Sequence, residues 1–183
     1  MGLKVDTKPY KIFDCGLQGY GKIGVGICPG HSARKDIGIR DLKLDLMAIK
    51  KWDAAVVLTL LTDDEFNVLG VPNLGTEVQN LEMEWFHLPI EDGTAPRSSE
   101  FLLLIEMLSV LIARLKLNKN IFIHCRGGIG RSGLIACQIL KGLGVSPPDA
   151  LSIIRSSRPG AVENRQQEDF VLNFAQTLEN YVK

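Results

Sequence analysis

The chain has 183 residues, of which 21 are lysine or arginine and 21 are aspartate or glutamate, so its formal net charge is zero; 45% of its residues are hydrophobic. This length and balance predict one globular domain over residues 1–183 with a sizeable core, and they argue against a polyanion-coating surface, so no nucleic-acid partner is expected. The start of the chain lacks an apolar signal region and the most apolar run, Phe101 to Ile112, is too short to span a bilayer, so no membrane anchor is expected.

Apolar runs of strand length alternate with segments of helical periodicity along the chain. In chain order the predicted elements are a strand over 23–28, a helix over 41–52, a strand over 54–61, a helix beginning at Thr62, a helix over 73–82, a strand over 83–88, a helix over 98–117, a strand over 121–124, and helices over 131–143, 147–156 and 164–181. Thr62 and Glu65, three residues later, form the pattern of a capping box. The alternation predicts an α/β fold in which helices flank a central, mainly parallel sheet.

Residues 124–133 read His-Cys-Arg-Gly-Gly-Ile-Gly-Arg-Ser-Gly and lie between a predicted strand and a predicted helix. The glycines allow the backbone to curl, so that successive N–H groups point inward, and the helix that follows adds its own unpaired N–H groups. The segment therefore predicts an anion pocket with Cys125 on its floor. The residues predicted to bind phosphate are Arg126, Gly127, Gly128, Ile129, Gly130 and Arg131.

The side chains of this loop predict nucleophilic chemistry at phosphorus. Arg131 supplies a planar fork that can hold two phosphate oxygens, and the same surroundings favour a thiolate at Cys125. Ser132 is placed to donate a hydrogen bond to the sulfur when it leaves, and His124 is expected to order the loop through backbone hydrogen bonds. The alternative is a buried structural thiol, which is the usual state of a lone cysteine.

The remaining cysteines indicate a reduced chain. Cys15, Cys28 and Cys137 lie far from one another and from Cys125, which favours the cytoplasm over a disulfide framework. Cys137 falls among apolar positions of a predicted helix, so it is expected in the core. The spacing of cysteines and histidines predicts no zinc site, and the proposed chemistry requires no metal or other cofactor.

The pattern His-Cys-x5-Arg-Ser resembles the signature loop of the cysteine-dependent protein tyrosine phosphatases, and above all the small dual-specificity enzymes of the kinase-associated type. The likeness runs from about Gly24 to Phe174. It is carried further by Cys28-Pro29-Gly30, Lys35-Asp36, Val71-Pro72-Asn73-Leu74, Pro89-Ile90-Glu91-Asp92-Gly93 and Arg158-Pro159-Gly160-Ala161-Val162. The resemblance implies a three-layer phosphatase domain, a monomer, a phosphocysteine intermediate and a phosphorylated protein as substrate.

Phosphate ester cleavage also needs a proton for the leaving oxygen, which a carboxylic acid can supply. Asp92 lies 33 residues before Cys125 in a loop that follows a predicted strand, and the resemblance places the general acid of the family at this position. The alternative is an aspartate that only makes a turn before Gly93. Glu91 is the second candidate for the acid.

Two supporting residues also follow from the resemblance. Gln167 matches a glutamine near the catalytic loop, where it would position water or pack the loop; the alternative is a solvated residue on the last helix. Asp36, beside Lys35, is expected to brace the loops by charge pairing, and the alternative is a simple surface ion pair. His31 and His87 have no predicted catalytic role.

The charge of the loop bears on the substrate. Arg126 is the only basic residue between Cys125 and Arg131, whereas phosphoinositide phosphatases of this superfamily tend to carry more positive charge there. This favours phosphotyrosine, with phosphoserine and phosphothreonine, in proteins. Two alternatives stay open: a phosphatase for a non-protein ester such as a phosphoinositide or an RNA 5′ phosphate, and a phospho-binding module without turnover.

Overall fold

The protein is described by a computed structural model that covers residues 6, 8–32 and 39–175. Five strands form one sheet in the order β1-β2-β5-β3-β4. They are β1 Phe13–Asp14, β2 Ile23–Gly26, β3 Ala54–Thr59, β4 Glu84–His87 and β5 Asn120–His124. β2, β5, β3 and β4 run parallel, and β1 pairs antiparallel with β2. The predicted mainly parallel α/β sheet is therefore confirmed.

Helices cover both faces of this sheet and give the predicted three layers. They are α1 Leu42–Lys51, α2 Asp63–Val68, α3 Leu74–Asn80, α4 Phe101–Lys116 (after a 3₁₀ turn at Ser98–Glu100), α5 Gly130–Gly142, α6 Pro147–Ser157 and α7 Arg165–Asn173. Alternate residues of β3 face opposite layers: Val56 and Leu58 pack with the core beneath α4 to α7, and Val57 packs with the core beneath α1 and α3. In the described residues, no helix combines the length and the apolar character needed to cross a membrane.

The antiparallel edge of the sheet and the last helix differ from the sequence prediction. The two-residue strand β1 was not predicted, because it is too short to show a periodic pattern. The last helix ends at Asn173 and not at 181, since Phe174 is extended with φ −68° and ψ 119°. Its ring packs on Phe101 and Phe170 at centroid distances of 4.8 Å and 4.5 Å, which turns the chain out of the helix. The rest of the predicted helix, 176–181, lies outside the described residues.

The sheet brings four loops to one edge. Gly26, His124, Thr59 and His87 lie side by side on neighbouring strands, each at the last position of its strand. The carboxyl ends of parallel strands meet at the same edge, where open α/β sheets bind their ligands. The loop after β5 carries Cys125, and the segments after β3 and β4 carry further side chains that reach it.

Candidate active site

Cys125 follows β5 directly and is buried on the floor of a cavity of about 210 Å³. The cavity is also lined by Asp92, Arg126 and Glu163. Cys125 Sγ lies 3.6 Å from Ser132 Oγ, within hydrogen-bond distance for sulfur. The structure thus brings the predicted nucleophile, the predicted acid and the predicted serine to one site.

The carbonyl groups of residues 126–129 are all held from outside this cavity. The N–H of Cys28 donates to the carbonyl of residue 126 at 3.2 Å, and the N–H of Val162 donates to the carbonyl of residue 129 at 3.3 Å. The guanidinium of Arg158 donates to the carbonyls of residues 127 and 128, at 3.3 Å and 2.8 Å. Because the C=O and N–H of one peptide unit point in opposite directions, the N–H groups of residues 127–130 point the other way, towards the cavity.

These N–H groups form an anion-binding concavity. In the part of the chain that the structure describes, none of the four donates to a protein acceptor. The geometry requires glycine at position 128. Gly128 has φ +62°, and a Cβ there would lie 2.3 Å from the backbone of Gly26.

Arg131 is fully buried beneath the loop. Its Nη1 donates to the carbonyl oxygens of Leu60 and Ile90 at 3.2 Å and 2.8 Å, and its Nη2 lies 2.9 Å from Oδ1 of Asp92. Among the described residues, Nε of Arg131 is the only buried side-chain nitrogen or oxygen without a partner. An oxyanion in the cavity would supply that partner.

Glu65 is the residue of the site that the sequence prediction missed. Its carboxylate accepts hydrogen bonds from Nη1 and Nη2 of Arg131 at 2.6 Å and 2.9 Å, and from the N–H of Thr62 at 2.9 Å. Burial raises the pKa of Glu65, but the hydrogen bonds from Arg131 and Thr62 outweigh burial and hold that pKa below its ordinary value. The capping-box pattern was the one signal in the sequence that singled out Glu65.

The two candidate acids face different partners. Asp92 lines the cavity and pairs with Arg131, and its side chain is 54% exposed. Glu91 pairs with the exposed Arg97 at 2.5 Å, and it does not line the cavity. The geometry therefore favours Asp92 over Glu91 as the group that meets a bound ester.

His124 belongs to a buried chain of hydrogen bonds. Nε1 of Trp85 donates to Oγ1 of Thr59 at 2.9 Å, and that hydroxyl lies 2.8 Å from Nε2 of His124. The Thr59 hydroxyl can therefore donate its own proton to Nε2 of His124. The proton of the neutral ring is then on Nδ1, which lies 3.4 Å from the carbonyl oxygen of Cys125. Burial lowers the pKa of His124 to about 3, so the ring is neutral.

Of the two predicted supporting residues, the structure describes Gln167 but not Asp36. Gln167 is buried: its Nε2 donates to the carbonyl of Thr94 at 3.1 Å, and its Oε1 accepts from the N–H of Glu163. Asn164 donates to the carbonyl of Gly93 at 2.9 Å, so the start of α7 holds the loop that carries Asp92. Lys35 and Asp36 lie outside the described residues.

Cys15, Cys28, Cys137 and His87 are not among the residues that line the cavity. Cys15, Cys28 and Cys137 are buried free thiols, as expected for Cys137 in the core. His87 lies 2.7 Å from the carbonyl of Leu61 and stacks on Trp85. Within the described ranges, no group of three or more histidine, cysteine, aspartate or glutamate side chains is arranged to hold a metal ion.

Comparison with known proteins agrees with this site. A sequence profile of the family described as cyclin-dependent kinase inhibitor 3 (CDKN3) matches residues 16–151. The chain is 32% identical over 162 residues to cyclin-dependent kinase inhibitor 3 of Mus musculus, across 86% of this chain and 74% of the mouse protein. It is 38% identical over 94 residues, only 39% of that protein's length, to the protein named tyrosine phosphatase 067L of invertebrate iridescent virus 3.

A solved structure shows the same fold. The crystal structure of kinase associated phosphatase, with its catalytic-site cysteine replaced by serine, superposes with a TM-score of 0.80. It is 27% identical in sequence, across 90% of this chain and 93% of that one. The chain belongs to the cyclin-dependent kinase inhibitor 3 family, and with it to the cysteine-dependent protein tyrosine phosphatases of the dual-specificity type.

Proposed function

We propose that this chain hydrolyses phosphotyrosine, phosphoserine and phosphothreonine esters of proteins through a phosphocysteine intermediate. One observation carries the proposal: beside the cavity that Cys125 lines, the N–H groups of residues 127–130 and the buried Nε of Arg131 have no protein partner in the described part of the chain. Those donors suit the three equatorial oxygens of a phosphoryl group held above the sulfur. The loop is thus a phosphate-binding loop.

In the first step, the Cys125 thiolate attacks phosphorus and the bond from phosphorus to the ester oxygen breaks. The incoming phosphate takes the place of the Asp92 carboxylate on Arg131. The displaced carboxylate takes up a proton from solvent and gives it to the leaving oxygen. Ser132 Oγ, 3.6 Å from the sulfur, supports the thiolate before attack.

In the second step, water attacks phosphorus, the bond between sulfur and phosphorus breaks, and inorganic phosphate leaves. Asp92 accepts the proton from this water, and Ser132 donates a hydrogen bond to the departing sulfur. The covalent intermediate divides one difficult displacement into two easier ones.

The charges around the cavity support a protein substrate. Of the described residues that line it, Arg126 is the only one with a permanent positive charge, while Asp92 and Glu163 are carboxylates. A multiply phosphorylated lipid headgroup or an RNA end would meet two carboxylates and, among the described lining residues, one arginine. A peptide with a single phosphate avoids that repulsion.

The free thiols support a reducing compartment, and we propose that the protein is cytoplasmic. We also propose that it acts as a monomer, because Cys125, Arg131 and Asp92 of one chain complete the site. Light scattering coupled to size-exclusion chromatography tests the monomer, and imaging of a fluorescent fusion tests the compartment.

The test of the function is phosphate release from a matched panel of phosphotyrosine, phosphothreonine and phosphoserine peptides and phosphoinositides, with wild type beside Cys125→Ser. Release from the peptides that disappears in the variant is the expected result. Release from phosphoinositides alone would assign a lipid substrate. A folded, reduced protein that releases phosphate from no member of the panel would overturn the proposal and favour a binding module.

A further inference from the structure

The turn between α6 and α7, residues 158–162, supplies three of the four donors that orient the catalytic loop. Arg158 donates to the carbonyls of Gly127 and Gly128, and the N–H of Val162 donates to the carbonyl of Ile129. Arg158 is the only side chain among the described residues that reaches these carbonyls. The orientation of two phosphate-binding N–H groups therefore depends on one guanidinium.

The guanidinium of Arg158 is itself seated on β1. Its central carbon lies 4.3 Å from the centroid of the Phe13 ring, and Lys11 Nζ lies 4.6 Å from the same centroid. A guanidinium over an aromatic face gains a cation–π contact and loses freedom of rotation. The short antiparallel strand that the sequence did not predict thus fixes the position of Arg158.

The turn that carries these donors is strained. Val162 has φ +60°, a left-handed conformation that is rare for a β-branched residue. Arg155 holds it there by donating to the carbonyls of Ala161 and Val162 at 3.1 Å and 3.3 Å. Strain of this kind persists where the surrounding contacts over-determine the backbone, and it is concentrated at functional sites.

We propose that Arg158, seated on Phe13, is a positioning residue that holds the N–H groups of Gly128 and Ile129 towards the phosphate. The loop N–H groups that it orients are also the donors that favour a thiolate at Cys125. Burial lowers the pKa of Arg158. The inference rests on the proposed phosphatase function.

Binding of inorganic phosphate to the Cys125→Ser protein, measured by titration calorimetry, tests this role without turnover. In that background Arg158→Met should weaken phosphate binding roughly 10–100-fold, the effect that loss of a partner that orients a ligand has at metal sites. Arg158→Lys should restore part of the affinity, and Phe13→Leu should lower it by a smaller factor. Arg114→Met is the matched control, because Arg114 makes two hydrogen bonds to Glu84 at a remote edge.

A second readout separates positioning from folding. With Cys125 present, the rate of its alkylation by iodoacetate rises with pH as the thiolate forms, and Arg158→Met should move that rise to higher pH. Unchanged phosphate affinity and an unchanged alkylation profile in folded Arg158→Met would overturn the inference. If Arg158→Met does not fold, phosphate affinity and the alkylation profile of Arg158→Lys and Phe13→Leu test the inference in its place. If the wild-type protein does not turn over any peptide of the panel, that result instead contradicts the proposed function.

Discussion

The Glu65 carboxylate joins the first turn of α2 to the guanidinium of Arg131. Its two oxygens accept four hydrogen bonds, two from Arg131 and two from Thr62. With Nη1 and Nη2 engaged by Glu65, Asp92 and two carbonyls, the plane of the guanidinium is fixed before substrate arrives. A preorganised donor of this kind needs no rearrangement when charge develops on the phosphoryl group.

Glu65→Gln should therefore impair catalysis. The amide would turn an N–H group towards the guanidinium and remove the charge that orients it, so kcat/KM for p-nitrophenyl phosphate should fall roughly 10–100-fold. Glu84→Gln is the control, since Glu84 forms a similar pair with Arg114 on the surface. Equal kcat/KM values for Glu65→Gln and wild type would show that Arg131 does not need this partner.

His124 makes stability depend on pH. Its pKa of about 3 in the folded state lies below the unfolded value near 6.5, so the unfolded chain binds a proton that the folded chain refuses. The contribution is complete above pH 6.5 and is lost as pH falls towards 3. Between pH 7 and pH 5 it should lower the free energy of unfolding by about 2 kcal/mol.

Urea unfolding at both pH values measures this difference. The His124→Gln variant should be less stable at pH 7 but should lack most of the decrease at pH 5. His31→Gln, which changes a half-buried histidine at the mouth of the cavity, should retain it. If His124→Gln loses as much stability on acidification as wild type, the neutral buried ring is not the source.

At the residue scale, the short motif around Cys125 could be predicted because its members are neighbours in the chain. Asp92 followed from the resemblance and from its place after a strand. The contact between Glu65 and Arg131 spans 66 positions, and the capping box already explained Glu65 locally. Arg158 was singled out as part of a family-like segment, but nothing in the sequence indicates that its guanidinium reaches the loop carbonyls.

At the scale of elements, hydrophobic periodicity predicted the four parallel strands and the helices between them. It placed the end of β3 too late, at Leu61, because Leu60 and Leu61 are as buried as the strand itself. After Thr59 the chain leaves the sheet, and the carbonyl of Leu60 serves Arg131. Leu60 and Leu61 stay buried although the strand has ended, and hydrophobic periodicity reports burial and not strand pairing.

The start of α7 should control the acid loop. Gln167→Ala removes the hydrogen bond to Thr94 and leaves Asp92 less well placed to give its proton. The turnover of phenyl phosphate, whose leaving group needs that proton, should fall about tenfold, with a smaller effect on p-nitrophenyl phosphate. Steady-state kinetics across a series of aryl phosphates provides the measurement.

Gln166→Ala, which changes an exposed neighbour on the same helix, is the matched control and should leave both rates unchanged. An equal loss for all leaving groups in Gln167→Ala would contradict a link to the acid, because a smaller folded fraction has the same effect on every substrate.

At the scale of the whole molecule, the residues of the candidate site gather at one edge of the central sheet. The strand register brings the ends of β2, β5, β3 and β4 into one row. The nucleophile and its arginine follow β5, and the candidate acid follows β4. That residues 1–183 fold as one domain stays a prediction.

In the proposed mechanism, Cys125 carries the phosphoryl group between the two steps. Rapid-quench capture of labelled enzyme from a radiolabelled phosphotyrosine peptide tests this step most directly, with Ser132→Ala used to slow the second step. We expect stoichiometric label that maps to Cys125, and no label on Cys125→Ser. Turnover by Cys125→Ser, or label on any other residue, would contradict it.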